Sequence, residues 1–285
     1  MHAMKAQSAM EYLMTYGWAI LIISVVLAAL YATGVFNPNT FAPRAQPGAC
    51  SVYRPYGPGS TQFISTEGPC NSEEPKFVAQ FSGVSYITTP STNMLKATMP
   101  LTLTAWIMVS STSGTNVIVQ EGTAATDESA HIWTSSGTLQ VGFYGDNCNT
   151  GEPVSAGKWY FVAMNWTGGT SKTMGWTIDG TSGTCAITGT PSILPGTSYI
   201  GWDGSAGDEW SGDISNVQIY NTSLSQPGIQ AIYKEGIGGP PIKLQNLVGW
   251  WPLNGNPTDY SGDNLNGIAA NVIYTSSWDS GYVAP

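Results

Sequence analysis

The sequence predicts a mainly β protein, with one N-terminal hydrophobic helix followed by a two-sheet β-sandwich. Three observations lead there. Only 9% of the 285 residues are charged while Gly (34) and Pro (18) are plentiful, which leaves the exposed faces of a helical bundle without the Glu and Lys they need. Hydrophobic residues make up 42%, and 11 Trp and 14 Tyr have to be packed, which excludes ordinary disorder. Beyond Lys76, short alternating apolar runs recur between Gly, Ser and Asn clusters, the rhythm of strands and turns. Nine Lys and Arg against eighteen Asp and Glu give a net charge of −9 with no basic cluster. Nucleic acid is thereby excluded as a partner, since that affinity rests on neutralising phosphates.

The helix is the run from Tyr12 to Phe36, YLMTYGWAILIISVVLAALYATGVF, twenty-five residues without a charge. It would be roughly 38 Å long, enough to cross a hydrocarbon core of about 30 Å. No comparable run follows, so this is the sole candidate span. Lys5 before it and Arg44 after it lean weakly toward a cytoplasmic N-terminus. Ordinary signal peptidase fits poorly, because the apolar core is too long and no small-x-small site follows it before Tyr31 and Phe36.

Immediately upstream, Lys5-Ala6-Gln7-Ser8-Ala9-Met10-Glu11 sets a short charged leader against the apolar run, with one carboxylate at Glu11. This resembles the class III signal peptide of archaeal type IV pilin-like proteins. The resemblance implies that a prepilin peptidase cuts between Ala6 and Gln7, removing a leader of residues 1–6. A hydrophobic helix over 7–36 then remains, first as a membrane anchor and later in the core of an extracellular filament at the cell surface. A carboxylate within an apolar helix is costly unless paired. The new amine of Gln7 on a neighbouring identical subunit supplies a partner for Glu11; headgroups at the membrane interface are the alternative. Gly17 and Gly34, near the ends of the run, read as ordinary membrane-helix glycines.

Residues 37–75, rich in Pro and Gly, read as a linker with a disulfide loop. The four cysteines, Cys50, Cys70, Cys148 and Cys185, contain no C-x-x-C pair and have only His2 and His131 as companions, so a structural zinc site is unsupported. An even number in an extracytoplasmic segment reads as disulfides. Of three connectivities, Cys50–Cys70 and Cys148–Cys185 is favoured, the second tying two strands together. The sequons at Asn165 and Asn221 are candidate glycosylation sites for a glycoprotein with the same outward location.

Residues 76–285 form the expected sandwich. Strands are expected at 77–81, 84–88, 101–109, 116–121, 138–144, 158–165, 174–179, 198–201, 212–220, 247–253 and 267–274. In LTLTAWIMV, Leu101, Leu103, Ala105, Ile107 and Val109 fall on one face. Only Pro227–Lys234 reads as a helix in this part. The segments AQFSGVSYITTPS, LTLTAWIMV, TIDGT and WSGDISNVQIYNTSLSQPGIQAIYKEG resemble the laminin-G-like, concanavalin A-like lectin/glucanase family, which implies a jelly-roll sandwich. The segment LVGWWPLNGNPTDYSGDNLNG also matches, but in that family it usually opens the domain and here it comes last. The chain is therefore expected either to be circularly permuted and to close on itself, or to donate its last strands to a neighbour.

Glucanases on this scaffold carry E-x-D-x-x-E, since glycosidic chemistry needs two carboxyls flanking the bond. That motif is missing, Asp127-Glu128 and Asp208-Glu209 are adjacent pairs in loops, and His131 has no nucleophile elbow to serve. The sequence is thus read as non-enzymatic, with His131 a polar surface residue. Asp259, Asp263, Asn264 and Asn266 offer oxygen ligands in a tight turn that Ca²⁺ would accept, and laminin-G-like domains often hold calcium; the competing reading is a plain Asx turn. Asp203, Asp208 and Glu209 form a second acidic cluster. Trp133, Tyr144, Asn147, Trp202 and Trp210 sit in or beside loop-like segments and are the candidate glycan contacts. The resulting expectation is a pilin-like filament subunit whose lectin-like outer domain mediates adhesion to glycans or host and cell surfaces. The alternative is a membrane-anchored surface lectin that never polymerises.

Overall fold

Strict alternation along Leu101–Val109 requires a strand with five apolar side chains on one face. In the computed structural model all five are buried in a single core cluster. The structure describes residues 16–28, 51–53, 64–67, 74–90 and 95–285. These fall into two compact units, one holding an N-terminal helix and a small hairpin, the other everything from Glu74 onward.

In the first unit, helix α1 covers residues 16–28, carries no charge and is exposed on all sides. Ser24 donates its hydroxyl to the Ile20 carbonyl at 2.7 Å, the local bond that satisfies a hydroxyl within an apolar helix. Its thirteen residues span about 20 Å, and among the described residues no helix is long and apolar enough to cross a membrane. The rest of the expected 7–36 helix, with Ala6, Gln7 and Glu11, lies outside the described residues. Strands β1 (Ser51–Tyr53) and β2 (Ile64–Glu67) pair antiparallel within the stretch expected to be a linker. Cys50 and Cys70 lie outside the described residues.

The second unit is a jelly-roll sandwich of two antiparallel sheets. One is built from β3 (Val78–Ser82), β5 (Leu101–Val109), β10 (Trp159–Trp166), β11 (Thr173–Ile178), β12 (Thr181–Ala186), β14 (Ser211–Tyr220), β15 (Leu247–Trp251) and β17 (Ile273–Thr275). Its order is β12-β11-β10-β5-β14-β3-β17, with β15 pairing beside the end of β14. The other contains β4 (Tyr86–Thr89), β6 (Thr115–Gly122), β7 (Ser129–Ser135), β8 (Thr138–Phe143), β9 (Asp146–Pro153), β13 (Ser198–Ile200) and β16 (Ile268–Ala270), ordered β16-β4-β13-β6-β7-β8-β9.

The main core lies between the sheets. A second apolar cluster covers the back of the eight-stranded sheet, where Trp106, Phe161 and Tyr220 meet Ile229 and Ile232 of helix α2 (Gln226–Lys234) and Trp278 of the C-terminal segment. That cover explains why β5 is buried on both faces. Pro227 suits the first turn of α2, where its missing N–H costs no hydrogen bond. The C-terminal segment is pinned by Trp278, whose indole N–H donates to the Pro75 carbonyl at 3.0 Å and whose carbonyl accepts from the Trp159 indole at 2.8 Å.

The last strands settle how the sandwich closes: β15 pairs with β14, β16 with β4 and β17 with β3, all within the chain. The single strand expected over 267–274 is two, because Asn271 adopts φ +55 and carries the chain from one sheet to the other. That crossing closes one side of the sandwich. On the other side the outermost strands β9 and β12 are joined by the Cys148–Cys185 disulfide, with a Cα–Cα separation of 5.8 Å. Strands β7, β9 and β12 have no counterpart in the sequence reading.

Candidate functional site

The strand missed between 121 and 138 builds the floor of the site. Along β7, Ala130 and Ile132 enter the core, which turns Ser129, His131, Trp133 and Ser135 to the opposite, outward face of the seven-stranded sheet. Opposite Trp133 on β6, a bulge between Val117 and Val119 keeps Val117 facing outward while Val119 enters the core. On the other neighbour, β8, His131 faces Gly142. A Cβ on Gly142 would meet the Trp133 ring at 3.1 Å and the Asp146 carbonyl at 2.5 Å, so only glycine lets the indole lie there. The β8–β9 turn presents Tyr144 at its tip, with Gly145 at φ +82. Tyr144 is held by two backbone bonds, its N–H to the Ser129 carbonyl at 3.1 Å and its carbonyl from the Asp127 N–H at 2.8 Å.

The second wall is the loop from Gly201 to Trp210. Gly201, Gly204 and Gly207 all take positive φ, which a glycine-poor loop would not permit. The Asp208 carbonyl accepts from Val117 N–H at 2.9 Å, tying the loop to β6. Asp203 accepts from Ser205 N–H at 2.8 Å, and the Trp202 indole donates to the Ser205 carbonyl at 2.7 Å.

Between floor and loop lies a cleft of about 340 Å³, lined by His131, Trp133, Tyr144, Asn147, Asp203 and Asp208. A second cavity of about 310 Å³ adjoins it, sharing Tyr144 and Asp203 and adding Thr123, Thr197 and Tyr199. Both fall at the lower end of ligand-sized cavities. Burial pushes the His131 imidazole down to about 3, so it is neutral at physiological pH. Its Nε2 shares a hydrogen bond with Ser129 Oγ at 2.8 Å, and its ring meets Tyr144 and Trp133 edge to face at 5.6 and 6.1 Å. Ser129 is fully buried, so this Ser–His pair orients the imidazole and presents no nucleophile. The Asp208 carboxyl is pushed up by burial first, then by the nearby charges of Asp203 and Glu209.

Of the candidate glycan contacts, the structure brings Trp133, Tyr144 and Asn147 together in the cleft. Trp202 stands beside the second cavity, its ring 4.6 Å from that of Tyr86 and 5.1 Å from that of Tyr199. Trp210 is a correction: it is fully buried in the main core, because the short loop has already returned the chain inward just before β14. His131 is another, a buried floor residue instead of a surface one. Sequence reasoning also missed Tyr199; the signal available for His131 was the alternation in SAHIWTS.

The remaining candidates lie elsewhere. Both carboxylate oxygens of Asp259 are engaged, Oδ1 by the N–H groups of Trp250 and Ser261 and Oδ2 by the Ser261 hydroxyl and Leu265 N–H. Asn266 Oδ1 accepts from Asp259 N–H at 3.0 Å, while Asp263 and Asn264 are exposed. These residues organise a turn, and the acceptors of Asp259 that a Ca²⁺ would use are taken by protein donors. Among the described residues no group of three or more His, Cys, Asp or Glu side chains stands in a metal-holding arrangement. Asn165 sits within β10 with its amide nitrogen donating to Ser223 Oγ at 3.2 Å and to the Leu224 carbonyl at 3.5 Å, so a glycan there, which leaves the nitrogen one hydrogen, would cost one of those two bonds. Asn221 follows β14, and its side-chain oxygen accepts from Asn246 Nδ2 at 3.1 Å, which leaves the nitrogen of this sequon outside that bond.

Among solved structures, the chain resembles a candidate carbohydrate-binding protein of Bacteroides ovatus at 17% identity, with a TM-score of 0.57, covering 71% of this chain and 60% of that one. It also resembles the native heptameric SAP-like pentraxin of Limulus polyphemus at 20% identity, with a TM-score of 0.51, covering 70% of this chain and 94% of that one. At these identities the likeness is one of fold. No curated protein matches the chain. Residues 81–230 match the family model of the concanavalin A-like lectin/glucanases superfamily; with just over half of its length matched, the protein belongs to that superfamily.

Proposed function

We propose that the outward cleft of the seven-stranded sheet binds carbohydrate, and that the chain displays this lectin-like domain as a pilin-like subunit of a surface filament. A fold alone does not carry function, and this family name joins lectins with glucanases. The observation that carries the reading is the convergence of Trp133, Tyr144, Asn147 and Asp203 on one ligand-sized cleft. Aromatic faces offer a sugar ring its apolar side, and amide and carboxylate oxygens accept its hydroxyls. Binding is favoured over hydrolysis because the E-x-D-x-x-E pattern that places the two carboxyls of glucanases is missing from the sequence. Trp133→Ala in the full-length chain is expected to weaken glycan binding at least tenfold, about 1.4 kcal/mol, with the melting temperature measured alongside. Unchanged affinity would count against the cleft.

The filament role rests on the Gln7/Glu11 leader pattern, and the uncharged, exposed surface of α1 supports it. Mass spectrometry of the protein from its native cell surface is expected to show a chain beginning at Gln7. A chain beginning at Met1 would leave Glu11 without its amine partner and favour a membrane-anchored lectin that does not assemble.

A further inference from the structure

We infer that the site takes an uncharged oligosaccharide and engages two successive sugar units of it, one in each of the two adjoining cavities. This rests on the carbohydrate-binding reading and narrows it. The two cavities are not separate sites, since Tyr144 and Asp203 line both. Each has its own aromatic surface: Trp133 in the first, Tyr199 in the second. Tyr199 is backed by Trp202 and Tyr86, whose rings pack against it at 5.1 and 6.1 Å. A ring that is itself packed loses little further freedom when a sugar stacks on it. The repetition of one aromatic face and hydroxyl-bearing partners (Ser135 in one cavity, Thr197 in the other) on either side of a shared Tyr–Asp pair suits a chain of like units better than a single sugar.

The charge lining the cavities sets the class of sugar. Asp203 and Asp208 contribute carboxylates, His131 is held neutral by burial, and no Lys or Arg lines either cavity. A sialic acid, uronic acid or sulfated sugar would bring its own anion against those carboxylates in a partly desolvated cleft, with no cation there to offset the repulsion. Neutral hydroxyls, by contrast, donate to carboxylate oxygens in strong charge-assisted hydrogen bonds.

The test is a binding panel with the full-length chain. It holds neutral oligosaccharides (lactose, cellotetraose, mannotetraose), their monosaccharides, and the acidic sialyllactose and trigalacturonate, within a broader glycan array. The expected result is binding confined to neutral glycans, about tenfold tighter for a matching oligosaccharide than for its monosaccharide. Tyr199→Ala should erase that chain-length gain while keeping the monosaccharide affinity of the first cavity, the sign that the domain is still folded, and Tyr199→Phe should retain the gain. Asp208→Asn should admit acidic glycans that the parent rejects. Acidic glycans binding the parent as well as neutral ones would overturn the charge selection while leaving carbohydrate binding standing. A monosaccharide binding as tightly as the oligosaccharide, with Tyr199→Ala silent, would overturn the two-unit site. Binding of no glycan on the array would overturn both this inference and the reading beneath it.

Discussion

Glu121 and His131 lie on adjacent strands of the same sheet but on opposite faces of it, and burial perturbs them in opposite directions. Glu121 is buried on the core side of β6, opposite Ala130, and burial raises its carboxyl from 4.5 to about 7 despite a hydrogen bond from Ser198. The folded state therefore holds that proton more tightly than the unfolded chain. Its contribution to stability is complete below about 4.5 and is lost as pH rises through 7. His131, lowered from 6.5 to about 3, acts in the other sense: its contribution is present above 6.5 and is lost as pH falls toward 3. Glu121→Gln keeps the shape and removes the charge. Relative to the parent, its free energy of unfolding should be larger (the fold more stable) at pH 8 than at pH 4.5 by about 1–3 kcal/mol, measured by urea denaturation. An offset that is the same at both pH values would contradict this. At this scale residue type singled out Trp133, Tyr144 and Asn147, which meet in one cleft, and equally Trp210, which is buried in the core. Which tryptophan faces outward depends on strand register, and residue type carries no information about that.

Among the elements, β5 and β14 were legible to within a residue or so, because long apolar alternation leaves no competing period. Strands β9 (DNCNTGEP) and β12 (TSGTCA) have no bounds in the sequence pattern: they are outermost strands rich in Gly, Asn and Thr, where few side chains need burial. Strand β7 was hidden for a different reason. Its outward face is Ser129, His131, Trp133 and Ser135, polar and aromatic residues used as a surface, so the alternation was there without a polar half that looked solvent-bound. The element that carries the site was thus the one least visible beforehand. The cysteines compensated in part, since Cys148 and Cys185 marked β9 and β12 as partners. Their bond closes a loop spanning 37 residues of separation, and loop-closure entropy predicts that it stabilises the fold by about 3–4 kcal/mol. Replacing both with Ser should lower the unfolding free energy by that order in urea titrations while leaving the fold intact by circular dichroism. A change under about 0.5 kcal/mol would show that the two sheets need no such link.

At the scale of the molecule, the sandwich closes with its own chain: β14 to β15 on one sheet, and β16 and β17 crossing between sheets. Among the described residues from Glu74 onward, no strand of the sandwich depends on a donated one. Composition already argued against a helical bundle, and the family resemblance anticipated the jelly roll. What composition could not convey is that a glycine-rich loop, Gly201 to Gly207, bends over β6 and β7 and turns an ordinary sheet face into a cleft. The proposed function requires that cleft to be where sugar sits. The most direct measurement is an NMR titration of the full-length chain, with its 11 tryptophan indoles labelled with nitrogen-15, against the tightest-binding neutral oligosaccharide of the panel. The Trp133 indole signal should move on saturation while that of the core residue Trp210 stays fixed. Saturable binding that leaves Trp133 unmoved would place the sugar elsewhere and contradict the account.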